Sequence, residues 1–97
     1  MAVPRPRISI CIANYNGEEI LPDCLESLCR QKVDHEFEVI IHDDASTDES
    51  VNLIRTCYPN VQLLTSDHNL GFCVSNTRMV SQASGEFVLL LNNDAAL

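Results

Sequence analysis

Short apolar runs rich in β-branched residues alternate along this chain with longer runs whose apolar positions recur every three or four residues. Arg7 to Ala13 (RISICIA) predicts a buried strand. Asn14-Tyr15-Asn16-Gly17 breaks it with turn formers. Leu21 to Gln31 predicts a helix, with Leu21, Leu25 and Leu28 on one face, Cys24 beside them, and Pro22 tolerated in the first turn. Phe37 to His42 (FEVIIH) predicts a second strand. Ser46 with Glu49 reads as a capping box ahead of a helix from Asp48 to Cys57 that buries Val51, Leu53 and Ile54. Pro59-Asn60 stops that helix. Val61 to Thr65 predicts a third strand and Ser66 to Gly71 a loop. Phe72 to Ala83 predicts a third helix, with Gly85 as its C-terminal stop. Glu86 to Leu91 (EFVLLL) is so uniformly apolar that it reads as a strand buried on both faces.

Strand–helix alternation with apolar strands implies an α/β fold with a parallel sheet. Right-handed crossovers then give a doubly wound, Rossmann-like half with strand order 3-2-1-4 and helices on both faces. The chain, residues 1–97, is expected to form a single domain. In such sheets ligands sit beyond the carboxyl ends of the strands.

Three polar tips fall at that edge: Asn14-Tyr15-Asn16, Asp43-Asp44 and Asn92-Asn93-Asp94. Each tip taken alone is also an ordinary turn. Their coincidence at one edge points to a ligand crevice. Tyr15 offers a ring to lie against a base. Asp44, an acceptor-only group, can take an N–H from a base edge. Asn92 and Asn93 can bond ribose hydroxyls, and Asp94 is a hard oxygen ligand for Mg²⁺ or Mn²⁺. His35, His42 and His68 read as surface or loop histidines, and Asp48 and Glu49 as charges at a helix start.

Charge sharpens this picture. Fourteen acidic against six basic residues give a net charge of -8. Such a domain repels polyphosphate backbones, which argues against nucleic acid as a partner. A diphosphate ligand would need a cation between it and the protein, the role open to the metal at Asp94. The five cysteines form no C-x-x-C pair and read as small buried hydrophobes in a reducing compartment, hence a cytoplasmic protein. No apolar run is long enough to span a bilayer. With three glycines in all, none in G-x-G-x-x-G spacing, a dinucleotide-dependent dehydrogenase is excluded. A signalling receiver domain would carry its paired acids after the first strand, and here they follow the second.

Ser9 to Asn16 resembles the opening strand and loop of family 2 glycosyltransferases of the GT-A fold. Cys24 to Leu28 resembles their first helix, and Val39 to Asp48 their hydrophobic strand followed by DDxSxD. Asn69-Leu70-Gly71-Phe72, Asn76 and Ser84 to Val88 are similar to the segment leading to the metal site. Leu91-Asn92-Asn93-Asp94 stands where the family has D-x-D, with Asn92 in place of the first acid. Leu70 replaces a basic residue common in the family. Four motifs in order cover nearly the whole chain. The resemblance implies that Ala13 and Tyr15 flank the base, Asp44 accepts its N–H, Asn92 and Asn93 contact ribose or phosphate, and Asp94 holds the metal. It implies a UDP-, dTDP- or GDP-sugar as donor and a glycan or lipid-linked acceptor hydroxyl, with the chemistry at the cytoplasmic face of a membrane. No residue matches the family's catalytic base, so the 97 residues are expected to be its donor-binding half and to catalyse no transfer. Apolar surface on the flank of the last strand and around Phe72 and Val80 is expected to promote self-association. The alternative is a nucleotide-binding module without catalysis.

Overall fold

A computed structural model describes residues 8–30 and 37–93. Four parallel strands alternate with three helices. These are β1 (Ile8–Asn14), α1 (Leu21–Cys29), β2 (Phe37–Asp43), α2 (Ser50–Cys57), β3 (Gln62–Thr65), α3 (Phe72–Gln82) and β4 (Phe87–Asn92). The strand order is β3-β2-β1-β4, as the alternation predicts. The register sets Ile12 beside Ile41 and Leu91, and Ala13 beside His42 and Asn92.

Side-chain alternation along the strands divides the core in two. Ile10, Ile12 and Ile41 project to one face and pack with Leu21, Cys24, Leu25 and Leu28 of α1 and Ile54 of α2. Cys11 and Ile40 project to the other and pack against Met79 of α3. Helices therefore cover both faces. Fully burying an isoleucine such as Ile12 or Ile41 contributes roughly 1.5–3 kcal/mol.

Several expectations are corrected. β4 is not buried on both faces. It lies at the sheet edge, and Phe87, Val88, Leu89 and Leu90 are between 41% and 58% exposed. The uniform apolarity of that run records its chemistry but not its place in the sheet. Phe72 and Val80 are exposed, as expected for the apolar surface around them. The Ser46–Glu49 capping box does not form, because Ser46 is held by Asp43 instead, its N–H and hydroxyl donating at 3.0 and 2.6 Å. Asp48 serves the start of α2, accepting from the Ser50 N–H at 3.0 Å. Val51 and Leu53 are half-buried where full burial was expected. Cys11 and Cys24 are buried, but Cys29, Cys57 and Cys73 are exposed. His42 is wholly buried rather than on the surface, since it faces α3 from within β2. The strand start placed at Arg7, the helix end placed at Gln31 and the surface histidine His35 lie outside the described residues.

Gly85 does not end α3, whose last residue is Gln82. It lets the chain pass close to β1: an added Cβ would come within 2.7 Å of the Ser9 backbone nitrogen. There the Glu38 carboxylate accepts from the Ser84 N–H at 2.7 Å and from the Ser9 and Ser84 hydroxyls, while the Gly85 N–H donates to Ser9 Oγ at 2.8 Å. Burial alone would raise the Glu38 pKa; these hydrogen bonds outweigh it and leave the carboxyl below its ordinary value. The clamp fixes the end of the sheet remote from the three polar tips.

Candidate functional site

At the carboxyl ends of the strands lies a cleft of about 380 Å³, lined by Ala13, Asn14, Tyr15, Asp44, Phe72, Ser75, Leu91, Asn92 and Asn93. Five residues singled out from the sequence, Ala13, Tyr15, Asp44, Asn92 and Asn93, thus meet in one place. Asp94, the sixth, lies outside the described residues and follows Asn93 directly in the chain. Asn14 was placed at this edge as part of a polar tip but given no role, and Phe72, Ser75 and Leu91 were not singled out as lining residues. Strand tips alone miss the first turn of α3, where Phe72 and Ser75, three apart, share a face. His68 is exposed beside Asp67 and lines a separate hollow with Arg78.

The tips are tied together by buried polar groups. Asn14, expected in a turn, is the last residue of β1 and is 1% exposed. Its Nδ2 donates to Asp43 Oδ1 at 2.9 Å, and its Oδ1 accepts from Asn93 Nδ2 at 3.0 Å. Asn16 adopts a left-handed φ of 50°. Its Oδ1 accepts from the backbone N–H groups of Thr47 and Asp48 at 2.7 and 3.2 Å, which locks the loop after β1 to the loop after β2. Asparagine tolerates that conformation better than most residues.

Asp44 organises the cleft's other wall. Its Oδ1 accepts from the Leu70 N–H at 2.6 Å and from the Ser66 hydroxyl at 3.2 Å. Its Oδ2 accepts from the Gly71 N–H at 3.1 Å. Partial burial would raise the Asp44 pKa. The Leu70 and Gly71 N–H groups, with Ser66 and Asn69, reverse that and hold the carboxyl below its ordinary value. The Asn69 Nδ2 hydrogen bond goes to the Asp44 backbone oxygen at 2.8 Å, so three of the carboxylate's about four lone-pair sites are taken and one on Oδ2 stays open. Gly71, at φ 91°, takes a backbone conformation that side chains rarely adopt, and it brings its N–H to Asp44 at the start of α3.

Behind the cleft, Arg78 Nη1 donates to His42 Nε2 at 2.9 Å. A guanidinium can only donate, so the imidazole proton sits on Nδ1, which is buried with no hydrogen-bond partner. Burial and then the Arg78 charge push the His42 pKa down, against the opposing pull of Asp44 and Asp43. His42 is accordingly neutral near pH 7.

Among the described residues no cluster of three acidic, histidine or cysteine side chains could hold a metal by itself. Mg²⁺ and Mn²⁺ do not need one: they are commonly held through one or two carboxylates and a substrate's phosphates. The amide oxygens of Asn92 and Asn93, with Asp94 next in the chain, are the hard donors that suit such a cation.

The sequence profile of Glycosyl transferase family 2 matches residues 9–97. The chain is 33% identical over 93 residues to a poly(ribitol-phosphate) beta-glucosyltransferase of Bacillus spizizenii, covering 91% of this chain and 15% of that protein. It is 33% identical over 95 residues to a PGL/p-HBAD biosynthesis glycosyltransferase of Mycobacterium tuberculosis, covering 95% of this chain and 37% of that protein. The chain thus spans well under half the length of these curated relatives. Among solved structures it resembles S. aureus TarS in complex with UDP (TM-score 0.83, 30% identity, 91% of this chain and 27% of that one). It also resembles a mannosyltransferase of Pyrobaculum calidifontis in complex with GDP-Man and Mn²⁺ (TM-score 0.82, 25% identity, 96% of this chain and 29% of that one).

Proposed function

The chain belongs to glycosyl transferase family 2, and from that premise we propose that its cleft holds the nucleotide of a sugar donor for transfer to an acceptor hydroxyl. The observation that carries the reading is the meeting of Ala13, Tyr15, Asp44, Asn92 and Asn93 in one cleft formed by three strand ends. Ala13 is small enough to leave room for a base against the Tyr15 ring. The open Oδ2 site of Asp44 accepts an N–H from the base edge. Asn92 and Asn93 face the ribose and diphosphate. Asp94, with the amide oxygens beside it, would hold Mg²⁺ or Mn²⁺. Such an ion would neutralise the diphosphate and help it depart as a leaving group. A net charge of -8 is otherwise hostile to a nucleoside diphosphate.

The solved neighbours were captured with UDP, with UDP-GlcNAc and with GDP-Man, which supports a UDP-, dTDP- or GDP-sugar as donor here. Relatives named for ribitol-phosphate polymers and for undecaprenyl-phosphate support a glycan or lipid-linked acceptor. No described helix is long and apolar enough to cross a membrane. Within these residues the cleft offers binding without a base for the acceptor. Asp43 is buried and bonded to Asn14 and Ser46, and Asp44 is engaged by the loop after β3. On this reading the 97 residues bind donor and do not by themselves transfer sugar.

Calorimetric titration of UDP, dTDP and GDP with and without Mn²⁺ tests this. At least one should bind, and about tenfold or more tightly with the metal, a gain near 1.4 kcal/mol. Equal affinity with and without Mn²⁺ would remove the metal role given to Asp94, and no binding at all would remove the reading.

A further inference from the structure

Asn14 and Asn93 are both amides, and an amide can present either its oxygen or its nitrogen to a ligand. The choice is settled here by a third group. Asp43 is 1% exposed, and its carboxylate can only accept. Asn14, also 1% exposed, must turn its Nδ2 toward Asp43, 2.9 Å away. Its Oδ1 is then fixed on the opposite side, where it accepts from Asn93 Nδ2 at 3.0 Å. Asn93 in turn has its nitrogen end drawn inward and its oxygen end left to the cleft that it lines. Gly17 keeps the space for this relay: an added Cβ would lie 2.2 Å from Asn14 Oδ1 and 2.7 Å from Asn93 Nδ2.

We infer that Asn14 is a positioning residue that passes the polarity of the Asp43 carboxylate to Asn93, so that Asn93 offers the donor site an acceptor oxygen. The oxygen takes a ribose hydroxyl or the cation beside the diphosphate. It does not take a phosphate oxygen, which has no proton to give. This deepens the nucleotide-binding reading above and rests on it. It also separates Asn93 from Asn92, whose backbone oxygen is approached by the Cys24 thiol at 3.8 Å and whose side chain is in no such relay.

Two variants break the relay while leaving Asn93, the group that meets the ligand, in place. Asn14→Ala removes both bonds. Gly17→Ala inserts a methyl group between the two amides while leaving Asn14 in place, so it serves if the first variant does not fold. Each is titrated with the diphosphate that the parent binds, with and without Mn²⁺, and with the 2′,3′-dideoxy form of that diphosphate without metal. We expect about a three- to tenfold loss, the weight of one hydrogen bond, in the gain given by the ribose hydroxyls or in the gain given by Mn²⁺. The first loss assigns the oxygen to ribose and the second to the cation. Affinity for the dideoxy diphosphate without metal stays at the parent value. Parent-like values in both arms, in either folded variant, overturn the relay while leaving the nucleotide-binding reading standing. An equal loss on every ligand, dideoxy form included, also overturns it, since that is plain structural damage. A parent that binds no nucleotide overturns both readings together.

Discussion

Replacing Asp44 by asparagine separates its two tasks. The amide keeps the shape and one acceptor oxygen, which can remain on the Leu70 N–H and the Ser66 hydroxyl at Oδ1. The other end becomes an NH₂ group. It then faces the Gly71 N–H, which now donates to Oδ2 at 3.1 Å, so donor meets donor. One charge-assisted hydrogen bond is lost outright and two are weakened, but the loop is near the surface and water can replace part of the loss. A stability cost of about 1–2 kcal/mol follows. The effect on binding is larger. The open site on Oδ2 disappears, and the base N–H that it would accept is left unpaired inside the cleft, at about 1–3 kcal/mol, or roughly five- to 150-fold in affinity. Urea unfolding gives the first number, and calorimetry with UDP, dTDP and GDP under saturating Mn²⁺ gives the second. Asp44→Ala, which removes the acceptor without adding a donor, should fall at the low end of the same range. If Asp44→Asn lost stability as expected but bound every nucleotide as tightly as the parent, Asp44 would be a clasp for the loop after β3 and nothing more.

His42 is neutral, and its pKa is pushed below the ordinary value by burial and Arg78. The unfolded chain therefore takes up its proton first. Stability should be intact above about pH 6.5 and decline as the pH falls from there toward the depressed folded value. His42→Gln should flatten that stretch of the stability–pH curve, and parallel curves for the two proteins would refute the assignment. Scattering should show concentration-dependent association of the 97-residue chain through the exposed edge of β4, reduced by Leu90→Lys; a parent that stays monomeric across the range would refute it.

The layout of the sheet was legible in the sequence because it depends on chain-local signals. β-branched runs, helical leucine spacing and turn residues fix which segments are strands, and right-handed crossovers fix the order. The cleft was legible for a related reason, since polar tips on parallel strands must share an edge. What stayed hidden depends on partners remote in the chain. Ser46 could cap a helix or bond Asp43, and only the fold shows that Asp43 wins. Asn14 reads as a turn former until β4 supplies Asn93 for it to bond. His42 carries no sequence sign of being sealed beneath α3 by Arg78. β4 reads as buried on both faces by composition, although the predicted order 3-2-1-4 already set it at the sheet edge, where its side chains are exposed.

The Asn14–Asn93 bond joins positions 79 residues apart, whereas Asn14 and Asp43 are separated by 29. Closing the longer loop costs more chain entropy, so pairing β4 to β1 is expected late in folding, after β1, β2 and the helix between them have formed a nucleus. On a ribosome the delay is enforced by synthesis, because β4 is made after β1, β2 and β3. A nascent chain would hold the base-side wall of the cleft, Tyr15 and Asp44, before it held the ribose and phosphate side. Nucleotide affinity would then appear in a single step when β4 docks, and a pulse-labelling record of amide protection should show the β1–β4 ladder closing together with the site.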